Sequence, residues 1–208
     1  MLNVGFTGGI ASGKSTVAKM FQEKGAYLID FDKLAHFVEE PDQQAWKAIV
    51  DFFGSDILNE DRTINRVKLG LLVFTDREKL SKLNSIVHPA VFDEWRRRSE
   101  DIRERNPQAI VISDIPLLIE VGMQNMFDVI VLVHASPEDQ IERLMERNGL
   151  SREDAVRRLS SQMPIDEKRA YADIVIDNND SLEATRRIVN DAWEDLLERE
   201  KKLRLQLK

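Results

Sequence analysis

The amino-acid sequence predicts an α/β fold around a mostly parallel sheet, and three observations carry that prediction. Residues 8–16 contain a complete phosphate-binding loop, G-x-x-x-x-G-K-[ST], with Gly8, Gly13, Lys14 and Ser15 at its fixed positions. A strand-like run precedes the loop at residues 2–7, and a helical pattern opens after it at Thr16-Val17-Ala18. Further near-continuous apolar runs, the pattern of strands buried on both faces, recur at residues 26–30, 109–114, 129–133 and 173–177, separated by helix-like stretches.

The elements follow in chain order. Successive backbone N–H groups of the loop are expected to wrap phosphates, and the helix that follows directs its positive end at them. Gly8, Gly9, Ile10, Ala11, Ser12, Gly13, Lys14, Ser15 and Thr16 are therefore the expected nucleotide cradle. Lys14 is placed to neutralise the β- and γ-phosphates, and the Ser15 hydroxyl to hold Mg²⁺. Gly25 closes the first helix and admits the second strand, residues 26–30. Asp30 and Asp32 are expected at its carboxyl end, where open parallel sheets bind their ligands. Asp32 is expected to accept the proton of an acceptor hydroxyl, or to hold it in line with the γ-phosphate. Helix capping is the alternative, equally weighted for Asp30.

About 75 residues of mostly helical pattern separate the second and third strands, too many for a simple crossover, so an inserted helical lobe is expected. One of its helices is expected to follow His88-Pro89, with Val91, Trp95 and Ile102 on one face. His88 either contacts the acceptor or marks a helix start with proline in the first turn. Asp114 ends the third strand, either as a Mg²⁺ ligand, directly or through water, or as a turn residue before Ile115-Pro116.

Beyond the fourth strand lies a cationic helical stretch with Arg143, Arg147, Arg152, Arg157, Arg158, Lys168 and Arg169. Arg143 and Arg147 are spaced i, i+4 on a helix whose Ile141, Leu144 and Met145 face the core, and Asn148-Gly149 ends it. Ser151 caps the next helix. Two short helices bounded by Gly149 and Pro164 read as a mobile lid, whose arginines, Arg147 first and Arg152 second, stabilise phosphoryl charge on closure. The final helix begins after Asp180-Ser181 and is expected to bury Leu182, Thr185, Val189, Ala192, Trp193 and Leu196, with residues 198–208 fraying.

Composition narrows the function classes. Hydrophobic residues make up 42% and charged residues 32% of the 208, a globular balance that excludes wholesale disorder. The net charge of −7 argues against a general nucleic-acid binder. The absence of cysteine excludes disulfides, thiolate catalysis and cysteine-based zinc sites. The three histidines are scattered without zinc-site spacing. No apolar run approaches the ~20 residues of a membrane span, and the chain opens directly on a strand, so a cytoplasmic protein with no membrane partner is expected.

At this point the sequence resembles the dephospho-CoA kinases, over roughly residues 2–195. The resemblance rests on Thr7 to Thr16, Ile29-Asp30-Phe31-Asp32, Val87-His88-Pro89, Asp114-Ile115-Pro116-Leu117-Leu118-Ile119-Glu120, Ser161-Gln162-Met163-Pro164 and Ala172 to Asn178, in family order. It implies a P-loop kinase fold with a five-stranded sheet, a helical acceptor lobe and a lid. The implied single domain comprises a core at about 1–31, 107–137 and 171–208, a lobe at about 32–106 and a lid at about 138–170. It implies ATP with Mg²⁺ as donor and dephospho-CoA as acceptor, phosphorylated on its ribose 3′-hydroxyl in the last step of coenzyme A synthesis. The family's proposed base lands on Asp32 and its lid arginine on Arg147. Adenine is held close to Asn178, and Pro116 and Leu117 lie near the acceptor, to which His88 and Arg152 are also assigned. A monomer or weak homo-oligomer is expected.

Two departures stand out. The family often has glycine where this chain has Ala11, tolerable if the backbone there has negative φ. Phe31 replaces a small residue between the two aspartates and is expected to point to the opposite face by strand alternation. The rival readings are a P-loop kinase for another small molecule and a GTPase-like switch. The latter lacks D-x-x-G after the third strand and an N-K-x-D motif.

Overall fold

Seven residues without a charged side chain form β1 (Leu2–Gly8), and all but Asn3 are buried. The chain turns through the phosphate loop into α1 (Lys14–Glu23), whose first turn carries no acidic side chain to compete with an anion for its N–H groups. Gly25, at φ 103°, takes a left-handed turn that few other residues adopt, and β2 (Tyr27–Asp30) follows. The structure, a computed structural model, describes residues 1–206. It has two compact units, one of Met1–Ile29 with the chain from Ile102 onward, the other of Asp30–Asp101.

The second unit is helical. α2 (Phe31–Val38) starts where β2 ends, so Asp30 closes the strand as expected, but strand alternation does not continue through Phe31 and Asp32. Asp30 caps the helix, its carboxylate accepting from the Lys33 N–H at 3.0 Å, and Asp32 falls in the first turn. Phe31 packs instead as a helical residue against Phe92 and Trp95, with ring centroids 6.2 and 6.1 Å away. α3 (Gln44–Phe53) and α4 (Arg66–Val73) follow, then α5 (Arg77–Arg105), 29 residues long. The helix runs straight through His88-Pro89, so the expected helix start there is corrected. Pro89 offers no N–H to the Ser85 carbonyl, a cost of about 3 kcal/mol in a helix interior. Burial of Val87, Val91, Trp95 and Ser99 along the same helix offsets it.

The first unit resumes with two wholly buried strands, β3 (Ile110–Asp114) and β4 (Val129–His134). α6 (Pro137–Asn148) is capped by Ser136 and closed by Gly149 at φ 63°. α7 (Arg152–Leu159) is capped by Ser151, whose hydroxyl accepts from the Asp154 N–H at 3.1 Å. A short α8 (Ile165–Lys168), β5 (Ile174–Asp177) and α9 (Leu182–Gln206) complete the chain. The strands form one five-stranded parallel sheet in the order β2-β3-β1-β4-β5, with β1 at its centre. Phe6 pairs with Asp114 and Gly8 with Val133, so β1, β3 and β4 all end at the phosphate loop.

The main core packs β1, β3, β4 and Ile176 against Val17, Ala18, Met20 and Phe21 of α1 and Val189, Ala192 and Leu196 of α9. A smaller cluster joins Ile141, Leu144 and Ala155 of α6 and α7, with Ile10 and Ala11 of the phosphate loop against it. On α9, Leu182 is exposed rather than part of the buried stripe, because it opens the helix. The helix also continues to Gln206 where fraying was expected, and the last two residues of that stretch, 207 and 208, lie outside the described residues. Its continuation is anchored by Glu200, which is buried and meets Arg204 one turn on at 3.5 Å.

Candidate active site

The loop between β1 and α1 is shaped by close approach. A Cβ on Gly8 would come within 2.9 Å of the Val133 carbonyl oxygen, so the chain leaves the sheet against β4 backbone. A Cβ on Gly9 would collide with the Gln140 amide, and one on Gly13 with the Asn178 amide. Gly13 sits at φ 86° as the residue before α1. Ala11 is also left-handed, at φ 57°, contrary to the negative φ on which its tolerance was argued.

Side chains distant in sequence tie the loop's peptides down. Ile10 donates its N–H to Gln162 Oε1 at 3.0 Å and accepts at its carbonyl from Gln140 Nε2 at 2.6 Å. The Ser12 carbonyl accepts from Asn178 Nδ2 at 2.7 Å. The Asn178 Oδ1 accepts from the Thr185 hydroxyl at 2.8 Å, and its backbone carbonyl from Arg143 at 2.7 Å. Among the described residues, no protein group accepts from the N–H groups of Ala11, Gly13, Lys14 and Ser15. Those N–H groups form a nest of donors at a helix N-terminus, the arrangement that binds phosphate.

Beside the nest, the Lys14 ammonium forms an ion pair with the Asp114 carboxylate at the end of β3. Both side chains are largely buried, at 17% and 12% exposure. Thr7 donates to the Pro116 carbonyl at 3.1 Å, which fixes the start of the loop after β3, while Leu117 is exposed. Ser15 and Thr16, in the first turn of α1, are exposed.

The other expected site residues are placed differently. Asp32 is exposed in the first turn of α2, with no hydrogen bond or ion pair among the described residues, whereas Asp30 is consumed by its cap and by Lys33 at 3.2 Å. His88 is exposed in mid-α5. Arg147 is exposed and donates only to the neighbouring Asn148 side chain, at 3.1 Å. Arg152 grips Glu138 through two hydrogen bonds of 2.7 and 2.8 Å, which pulls the Glu138 carboxyl below its usual range and pushes the guanidinium up. Asn178 fastens the loop with the Nδ2 end of its amide, on the Ser12 carbonyl, and anchors the Oδ1 end to Thr185 of α9, so its side chain shapes the phosphate cradle. The arginine that comes near the loop is Arg143, half-buried one turn before Arg147: it donates to the Asn178 carbonyl, and its guanidinium lies 3.9 Å from where a Cβ on Gly13 would stand.

Sequence reasoning missed Gln140, Gln162 and the Glu120–Lys168 ion pair, 2.6 Å long with the lysine fully buried. Gln162 had a signal, since it stands in the Ser161-Gln162-Met163-Pro164 segment. Gln140 had none, because a lone glutamine in a charged amphipathic helix reads as surface.

With this geometry in view, similarity to known proteins settles the family. The sequence model of the family described as dephospho-CoA kinase matches residues 2–184. The chain belongs to the dephospho-CoA kinase family. A dephospho-CoA kinase of Syntrophus aciditrophicus is 58% identical over 201 residues, covering 97% of this chain and 86% of that one. Among solved structures, a Thermus thermophilus protein is 35% identical with a TM-score of 0.75, over 94% of this chain and 97% of its own. The dephospho-CoA kinase of Campylobacter jejuni is 27% identical with a TM-score of 0.71, over the same shares. The family's reaction is the last step of coenzyme A synthesis, and its P-loop kinase fold is the one described above.

Proposed function

We infer that the protein transfers the γ-phosphoryl group of ATP to the ribose 3′-hydroxyl of dephospho-CoA, giving coenzyme A and ADP. The observation that carries the chemistry is the Lys14–Asp114 contact beside four free N–H groups. It joins a cation for phosphate, an anion for metal and a donor nest in one place. When a triphosphate enters the nest, its oxygens compete with Asp114 for Lys14, and the carboxylate is released. Ser15 and Asp114 would hold Mg²⁺, which would supply neutralisation of phosphate charge. Ser15 and Asp114 fit it: two oxygen donors suffice for an ion that takes the rest of its shell from phosphates and water. Among the described residues no group of three His, Asp or Glu side chains offers a metal a cage of its own.

On the acceptor side, Asp32 takes the proton of the 3′-hydroxyl, since its carboxylate is the one of the aspartate pair left without a partner. His88, Pro116 and Leu117 contribute to holding the acceptor, and residues 32–106 form its lobe. Residues 138–170 act as a lid that carries Arg147 and Arg152 toward the phosphoryl group and excludes water. Asn178 borders the adenine site through its backbone. No helix of the described residues is long and apolar enough to cross a membrane, which fits a chain working on two soluble substrates. We propose a cytoplasmic location and a monomer or weak homo-oligomer with no nucleic-acid partner.

The deciding experiment measures ADP release with ATP, Mg²⁺ and a panel of acceptors, with mass analysis of the product. Dephospho-CoA is expected to stimulate turnover and to gain one phosphoryl group. Stimulation by a nucleoside or sugar alone would overturn the acceptor assignment.

A further inference from the structure

We propose that Gln140 and Gln162 are positioning residues that hold the Ile10–Ala11 peptide in the orientation that turns the Ala11 N–H toward bound phosphate. The seating of α6 and α7 on the loop would thereby set nucleotide affinity. Three observations lead there. First, Ala11 adopts φ 57°, a conformation that alanine does not choose unaided. Something must hold it, and its own backbone does not: Ala11 has no backbone hydrogen bond of its own among the described residues.

Second, both peptides that flank Ile10 are gripped, the Gly9–Ile10 peptide at its N–H and the Ile10–Ala11 peptide at its carbonyl, which fixes Ile10 from either side. Gln162 takes the Ile10 N–H and Gln140 donates to the Ile10 carbonyl, from 152 and 130 residues away. A trans peptide points its C=O and the following N–H in opposite directions. The Ile10 carbonyl is committed to Gln140, so the Ala11 N–H faces the other way. If the peptide flipped, Ala11 would relax to the right-handed region. The carbonyl oxygen would then replace an N–H donor in the nest and repel phosphate.

Third, the grip is part of the α6–α7 seat. Gln140 is fully buried on α6, and the Ile10 and Ala11 side chains pack against Ile141, Leu144 and Ala155. Gln162 lies two residues before Pro164, where the chain enters α8. α8 is itself pinned by Asp166 to His134 at 3.0 Å and by Lys168 to Glu120 at 2.6 Å. Gln162 thus sits between α7 and the anchored α8, so a displacement of α7 would pull on the Ile10 N–H. By linkage, a nucleotide that needs the Ala11 N–H also favours the seated helices.

The test is a coupling cycle between positions 11 and 162, read by direct titration of ATP and Mg²⁺ in the absence of acceptor. Gln162→Met keeps length and packing but removes the acceptor of the Ile10 N–H. It is expected to weaken nucleotide binding about 10-fold, the worth of one hydrogen bond to a fixed peptide. In an Ala11→Gly background the left-handed conformation carries no Cβ penalty, and the same change is expected to cost about 3-fold or less. Gln140→Met, which removes the donor to the Ile10 carbonyl, should show the same dependence on residue 11.

A second readout is hydrogen exchange at the Ala11 amide. Nucleotide should protect it in the wild type and much less in Gln162→Met, even if that variant is only marginally folded. Equal losses in the two backgrounds would overturn the proposal. So would unchanged affinity accompanied by a lower melting temperature, the mark of a packing role alone. The inference rests on the reading of the loop as an ATP site and is indifferent to the acceptor. A chain that binds ATP but ignores dephospho-CoA would defeat the proposed acceptor while leaving this cycle decisive.

Discussion

The phosphate loop and the outer surface of α6 and α7 belong to the same unit and share one small apolar cluster, yet they are held by opposite means. The loop is fixed by amides reaching across more than a hundred residues: buried Gln140 and half-buried Gln162 on Ile10, buried Asn178 on Ser12. The outer surface is held by exposed ion pairs, Arg157 with Asp154 three residues away and Arg152 with Glu138 fourteen away. Buried hydrogen bonds cost the full desolvation of a partner when broken, whereas exposed pairs exchange freely with water. The difference teaches a division of labour. The cradle is preorganised before the nucleotide arrives, and the helices over it keep contacts weak enough to be rearranged.

The sharpest way to break this comparison is to remove the charge the cradle was built around. Lys14→Ala should lower kcat/KM by about 10³-fold, because phosphoryl transfer is almost entirely positioning and charge stabilisation. The protein should remain folded, since Lys14 leaves an aspartate that water can reach. Steady-state kinetics beside circular dichroism checks both. A loss of only a few-fold would mean that the N–H nest suffices and that the Lys14–Asp114 pair is structural.

Next in size is Asp32→Asn, in the helical unit. It should lower kcat about 10²-fold while ATP affinity holds, because the removed group acts on the acceptor proton. The contrast with Asp30 sharpens the test. Asp30→Asn keeps a capping side chain and should leave kcat within a few-fold. Equal losses from the two variants would show that the aspartate pair serves the helix start and not the proton.

How legible these features were depends on the range of the interactions behind them. The strands, the loop and the caps at Ser151 and Gly149 rest on local pattern and were readable in the sequence, with boundaries off by a residue. For Asp30 the strand end and the helix cap were both open, and both hold because the two coincide; only Phe31 was misread, since strand alternation cannot apply to a residue that already opens a helix. Pro89 was misread because proline is a breaker only on average, and four buried residues of the same helix outweigh it. The expected fraying of α9 ignored Glu200, which has a buried place only once the helix is packed. The loop's amide clamps were illegible for the same reason. Gln140, Gln162 and Asn178 find their partners only when the sheet brings β1, α6 and β5 together, and no spacing rule announces that. Arg143 and Arg147 were indistinguishable by periodicity, and the turn of helix that separates them decides which one bonds the Asn178 backbone beside the loop.

Asn178 tests the buried half of the comparison at intermediate size. Asn178→Ala strands the Ser12 carbonyl and leaves the Thr185 hydroxyl only its longer bond to the Ser181 carbonyl, at 3.3 Å, which should cost about 1–3 kcal/mol of stability. Because Ser12 belongs to the loop, nucleotide affinity should fall together with the melting temperature. Asn178→Asp keeps the acceptor for Thr185 but loses the donor to Ser12. It should therefore recover stability only in part and affinity hardly at all. Full recovery of affinity would mean that the loop holds its shape without this clamp.

The smallest effect belongs to the exposed half. Arg152→Ala removes the partner of Glu138 at a surface where such pairs contribute little, so the melting temperature at neutral pH and moderate salt should shift barely measurably. What remains should be visible in its pH dependence. Arg152 lowers the Glu138 pKa in the folded chain, so its contribution is present above the usual glutamate value of 4.5 and is lost as the pH falls through the depressed one. The variant should therefore lose less stability than the wild type over that acidic window, and 1 M salt should erase the difference between them. Activity is the more telling readout. If Arg152 leaves Glu138 to meet phosphate when α7 moves, Arg152→Ala lowers kcat well beyond its effect on stability. Glu138→Gln, which frees the guanidinium, should then raise or preserve kcat. If both variants depress kcat alike, the pair is a fastener that must stay closed, and the exposed contacts of α6 and α7 are as fixed in function as the buried ones beneath them.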